Sequence, residues 1–115
     1  MGEIRIKKVE SLLKEKLGEI LMKNELKDPR LDKFMTITKL LISKDLKIAK
    51  VYISYIGEEE DHKIIVRVLN NAAGYIQRLL GKRIRLKNTP KLIFYMDDSI
   101  EKGFEITQKL KDLFS

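Results

Sequence analysis

The chain has 115 residues, enough for one hydrophobic core and not for two. It is 43% hydrophobic and 36% charged, and its 24 Lys and Arg against 17 Asp and Glu leave a net charge of +7, a balance that favours an anionic partner. The absence of cysteine excludes disulfides, thiolate metal sites and thiol catalysis, and no stretch approaches the ~20 apolar residues of a membrane span.

The first segment reads as an amphipathic helix. Ile6, Val9, Leu13, Leu17, Ile20 and Leu21 recur at helical spacing, with Lys7, Lys8, Lys14, Glu15 and Glu19 between them. Charge interrupts Met1 to Lys16 too often for a signal peptide, so the expected location is cytoplasmic. Asn24 and Asp28-Pro29-Arg30 supply a stop, because Pro29 disfavours helical backbone at Asp28. Phe34 to Ile56 then reads as a β-hairpin, turning within Ser43-Lys44-Asp45-Leu46-Lys47. Ile37, Leu41 and Ile42 belong to its first arm. In the second, Ala49, Val51, Ile53 and Tyr55 share one face and Lys50, Tyr52 and Ser54 the other. Glu58 to Asp61 places negative charge at the start of the next helix, where the macrodipole favours it.

From His62 to about Lys82 the apolar spacing is helical again, through Ile65, Val68, Leu69, Ala72, Ile76, Leu79 and Leu80. Inside it lies Ala72-Ala73-Gly74, and a mid-helix glycine, which costs about 1 kcal/mol relative to alanine, points to a kink or a close approach. After Gly81 the period becomes two, with Ile84 and Leu86 on one side and Arg83, Arg85 and Lys87 on the other. Asn88-Thr89-Pro90 is a turn, Lys91 to Met96 a strand, and Ser99 to Phe114 a last helix opened by an Asp98/Glu101 capping box. This order predicts a single α+β domain over 1–115, a three-stranded sheet packed against helices. The apolar stripes are consumed in one small core, so a monomer is expected.

The placement of charge is the strongest functional signal. Between His62 and Met96 stand Lys63, Arg67, Arg78, Lys82, Arg83, Arg85, Lys87 and Lys91, with no Asp or Glu. Along an extended Arg83 to Lys87 the cations would lie about 6.6 Å apart on one face, suited to following phosphates. The competing reading is a solvated face that keeps the chain in solution. A helix restarting near Tyr75 would offer unpaired backbone N–H groups to a phosphate, with Asn70, Asn71 and Gln77 as neutral donors for sugars and base edges. Ala72 and Gly74 would equally serve to let the helix press against the sheet.

Sharper chemistry fails. Gly81-Lys82 is not a P-loop, because Ile76 stands where glycine is required and Arg83 where Ser or Thr should follow. His62 has no Ser or Cys nucleophile nearby and reads as an exposed helix-start residue. Asp97, Asp98 and Glu101 fit helix capping better than a metal site. The sequence therefore predicts no enzyme, no cofactor and no metal. Tyr52, Tyr55, Tyr75, Phe94 and Tyr95 could stack on bases but more often pack; Tyr75, beside the kink, is the best placed.

Taken in order, these segments resemble the ribosome-binding factor A family of bacterial small-subunit assembly factors. The resemblance runs from the first helix and Asp28-Pro29-Arg30 through the hairpin stretch Ser43 to Ser54. Its most specific part is Asn71-Ala72-Ala73-Gly74-Tyr75-Ile76-Gln77-Arg78, continuing to Leu86, then Pro90 and Phe94-Tyr95-Met96-Asp97-Asp98-Ser99. It implies a fold like the type II KH domain, with an Ala-x-Gly helix kink, here Ala72-Ala73-Gly74, in place of the Gly-x-x-Gly loop. It also implies binding to the 30S subunit and its 16S rRNA near the 5′-terminal helix during late maturation, and a link to cold adaptation. The expected RNA-binding residues are Arg78, Lys82, Arg83, Arg85 and Lys87 for phosphates, Asn70, Asn71 and Gln77 for sugars or bases, and Ala72, Gly74 and Tyr75 at the kink.

Overall fold

A computed structural model of the chain describes residues 2–23, 35–55, 59–97 and 113. The elements run α1 (Gly2–Met22), β1 (Met35–Ile42), β2 (Ile48–Tyr55), α2 (Glu59–Asn71), α3 (Ala73–Arg83) and β3 (Lys91–Met96). The strand order is β1-β2-β3, with β2 antiparallel to β1 and parallel to β3. The parallel pair requires a crossover, which α2 and α3 supply.

The helices cover one face of the sheet because each presents an apolar stripe to it. Leu13, Leu17, Ile20 and Leu21 of α1, Ile65, Val68 and Leu69 of α2, and Ile76 and Leu80 of α3 are buried with Ala49, Val51, Ile53, Leu92 and Phe94. The period of two read in the second hairpin arm holds: Ala49, Val51, Ile53 and Tyr55 all point into the core. In β1 the register slips between Ile37 and Lys39. Thr38 is the extra residue of this bulge, so Ile37 and Leu40, three apart, both face inward and Leu41 faces out.

The hairpin turn is held by side chains. The Asp45 carboxylate accepts from Ser43 Oγ at 2.6 Å and from the Lys47 N–H at 3.1 Å, while the Ile48 N–H donates to Ser43 Oγ at 3.0 Å. These bonds hold the Asp45 pKa below its ordinary value, the Ser43 hydroxyl contributing most. They also fix Leu46 at φ 61, left-handed backbone that costs a non-glycine residue about 1–2 kcal/mol. Leu46 recovers part of this by packing against the core.

Both outer edges of the sheet are met by helix side chains. On β1, the Ile42 N–H donates to Glu10 Oε1 at 3.0 Å and Lys14 Nζ lies 3.5 Å from the Thr38 carbonyl oxygen. On β3, the Asn70 amide brackets Phe94, donating to its carbonyl at 3.0 Å and accepting from its N–H at 2.8 Å.

The structure corrects the reading of Arg83 to Lys87. No strand forms there: α3 continues through Gly81 to Arg83, and Ile84 closes it with an N–H bond to the Leu80 carbonyl at 3.1 Å. Ile84 lies four residues after Leu80 and both are buried, so helical spacing and strand alternation coincide at that point. Asp28-Pro29-Arg30, Glu58 of the acidic run, and the last helix except Leu113, which is helical, lie outside the described residues.

Candidate nucleic-acid interface

α2 and α3 part at Ala72, whose φ of −92° and ψ of 2° leave the helical region. The Ala72 N–H completes the α2 ladder on the Val68 carbonyl, and the Ile76 N–H begins that of α3 on the Ala72 carbonyl. No side chain caps this end of α3 and its first turn holds no acidic residue.

Gly74 does not serve close packing. It is exposed, and a Cβ built on it meets nothing within 4 Å. Its φ is not positive either, so neither contact nor backbone conformation inside the molecule demands glycine there. The expectation that Gly74 lets the helix press against the sheet is overturned. Among the described glycines it is Gly81 that has a packing role: a Cβ there would lie 2.9 Å from Thr89 Oγ1, so its absence lets the 84–90 loop fold back against α3.

The cations gather on α3 and that loop. Arg78, Lys82, Arg83, Arg85 and Lys87 are all exposed. Arg78 and Lys87 line an open groove with Gln77, Gly81, Leu86, Asn88 and Thr89, between α3 and the loop. Lys82 and Arg83 occupy the last turn of α3, where the dipole favours positive charge, and the Arg83 guanidinium donates to the Leu79 carbonyl at 3.3 Å. Arg83 therefore belongs to the helix, and the single extended row of cations is replaced by a helix end and a loop.

The predicted amide donors are placed differently from one another. Asn70 has both amide atoms engaged with Phe94, and Gln77 donates to the Thr89 carbonyl at 2.8 Å, tying the loop to α3. Asn71 is exposed at the end of α2, beside half-buried Ala72. Tyr75 is 46% exposed, with the Arg78 guanidinium 5.9 Å from its ring centroid. Tyr55 and Phe94 are buried in the core and removed as stacking surfaces. His62 is also buried rather than exposed, edge-on to Tyr55 at 5.5 Å between ring centroids. Among the described residues no group of three or more His, Asp or Glu gathers to hold a metal ion, and Asp97 accepts from Thr38 Oγ1 at 2.6 Å.

A family model described as ribosome-binding factor A matches residues 5–110. The chain belongs to the ribosome-binding factor A family. Curated ribosome-binding factor A proteins similar to it include one from Acetivibrio thermocellus, 42% identical over 94% of this chain and 87% of the relative. Another, from Dictyoglomus thermophilum, is 41% identical over 95% of this chain and 90% of the relative. Among solved structures, ribosome-binding factor A from Thermus thermophilus superposes with a TM-score of 0.67 at 31% identity, covering 79% of this chain and 94% of the other. A homology model of the Thermus thermophilus ribosome-binding factor A, fitted into a cryo-EM map of its 30S complex, superposes with a TM-score of 0.65 at 30% identity, over 79% and 93% of the two chains. Two features of this chain escape sequence reasoning, the bracketing of Phe94 by Asn70 and the pairing of Tyr52 with Tyr95. Both join residues far apart in sequence, and no local pattern announces either.

Proposed function

We propose that this chain is a non-enzymatic assembly factor that binds the 30S subunit through its 16S rRNA, near the 5′-terminal helix, and assists late rRNA maturation. The observation that carries the reading is the group of five exposed cations on α3 and its following loop, in a stretch free of Asp and Glu. In this reading the chain is one type II KH-like domain over 1–115, monomeric and cytoplasmic, with Ala72-Ala73-Gly74 as the kink that stands for the Gly-x-x-Gly loop. Arg78, Lys82, Arg83, Arg85 and Lys87 take phosphates. The uncapped start of α3 takes another, approached over the open side of Gly74. Asn71 and Tyr75 lie where sugars and bases would follow, while Asn70 and Gln77 act by holding β3 and the loop in place. The Thermus thermophilus relative fitted into a 30S complex supports the choice of particle.

The mechanism is passive. A binder shifts an RNA equilibrium only by its differential affinity for two conformations, so the factor favours the rRNA arrangement its cations fit. The test is co-sedimentation with mature and immature small subunits over a salt series. Binding of the wild type should weaken as salt rises. The variant Arg83→Glu with Arg85→Glu should fold and lose most binding, flattening the salt slope by about two units. Gly74→Ala separates site from scaffold: stability should hold or rise, since alanine is the better helix former, while binding falls. A wild type that sediments with neither particle at low salt overturns the assignment.

A further inference from the structure

The sheet's outer face carries a pattern that the α3 region does not use. Register sets its outward residues in rows across the strands: Lys39, Tyr52 and Tyr95 in the first, Leu41, Lys50 and Ile93 in the second, and Ile48 with Lys91 in the third. Lys39, Lys50 and Lys91 thus fall on a diagonal, one from each strand. Each step moves one strand across and two residues along, so neighbouring backbone positions are roughly 8 Å apart. On one side of this diagonal Tyr52 and Tyr95 stack with ring centroids 5.4 Å apart and 24° between planes. Lys39 Nζ lies 4.7 Å from the Tyr52 centroid. Tyr95 remains 39% exposed, Leu41 42% and Ile48 39%. None of the three rows contains an Asp or Glu; the acids at their rim, Asp45 and Asp97, accept hydrogen bonds within the chain.

We propose that this face is a second nucleic-acid surface, which takes a short single-stranded segment of RNA. Bases lie on the Tyr52–Tyr95 platform and the sugar–phosphate backbone follows the lysine diagonal. Charge complementarity selects a polyanion, and exposed rings select one whose base faces are free. A duplex has its bases already stacked and offers the rings nothing. The surface is separate from the α3 site and stands or falls independently of it.

The test uses the full chain and a fluorescently labelled single-stranded oligoribonucleotide of mixed sequence, with a blunt-ended RNA duplex as control, measured by anisotropy. Folding of each variant is checked by circular dichroism. In the Arg83→Glu, Arg85→Glu background the single strand should still bind, and adding Tyr95→Ser should weaken it about tenfold, the effect of one lost base stack. Tyr95→Phe keeps the ring and should bind as before. Replacing Lys39, Lys50 and Lys91 with Gln should flatten the salt slope by about two units. The duplex should be indifferent to Tyr95→Ser. Single-strand binding that vanishes with Arg83→Glu, Arg85→Glu, or that ignores Tyr95→Ser, overturns this surface and leaves the α3 site standing. A change at Tyr95 that alters only self-association, seen by sedimentation, overturns it in favour of a second copy.

Discussion

Phe94 and Tyr95 are neighbours in one strand and belong to two different environments. Phe94 is 1% exposed among the helix side chains, whereas Tyr95 lies on the open face over Tyr52. The same contrast runs through β2, where Val51 and Ile53 fill volume and Lys50 and Tyr52 carry charge and ring. The inner face is constrained by packing, so size and shape decide what is tolerated there. The outer face is constrained by what it meets, and charge and polarity decide.

The contrast breaks most visibly at its centre. Phe94→Ala should destabilise by about 3–5 kcal/mol, and Tyr95→Ala by about 1 kcal/mol or less; urea denaturation followed by circular dichroism compares the two. Comparable losses would mean that the outer face is part of the core. A smaller effect sharpens the same boundary from the strand edge. Asn70→Ala removes both partners of the Phe94 backbone and should cost about 1–3 kcal/mol, with faster amide exchange at Phe94 as the local signature. The smallest effect falls at the hairpin turn. Asp45 titrates below its ordinary value when folded, so its contribution is present above the unfolded pKa near 3.8 and is lost as pH falls through the lower folded value. Asp45→Asn should therefore melt slightly below the wild type at neutral pH, with the difference closing as pH falls below about 4, measured by thermal melts across that range.

Much of this architecture is legible in the residues. The period of two in Ala49 to Tyr55, the turn at Ser43 to Lys47 and the interruption at Ala72 all rest on local pattern, which the chain writes in neighbouring positions. What is not legible depends on partners distant in sequence. At the bulge Thr38 donates to Asp97, 59 residues away. Asn70 looks like a polar donor facing solvent until the fold brings Phe94, 24 residues on, against it. Arg83 to Lys87 misleads for another reason: Leu80 and Ile84 satisfy helical spacing while Ile84 and Leu86 satisfy strand spacing, and the backbone bond from Ile84 to Leu80 decides for the helix. The candidate site was visible as an acid-free block of cations. Its shape, a helix end and a folded-back loop, was not.

The side chains along the two outer edges of the sheet limit how anything can attach to it. A strand seeking to extend the sheet would have to displace Glu10 from Ile42 on one edge or Asn70 from Phe94 on the other. At those points the backbone is already answered, and ladder-type association is disfavoured. Such edges favour partners met side chain to group, across a face or a helix end, through contacts that form and break one at a time. Attachment without a shared backbone ladder makes departure a sequence of small steps.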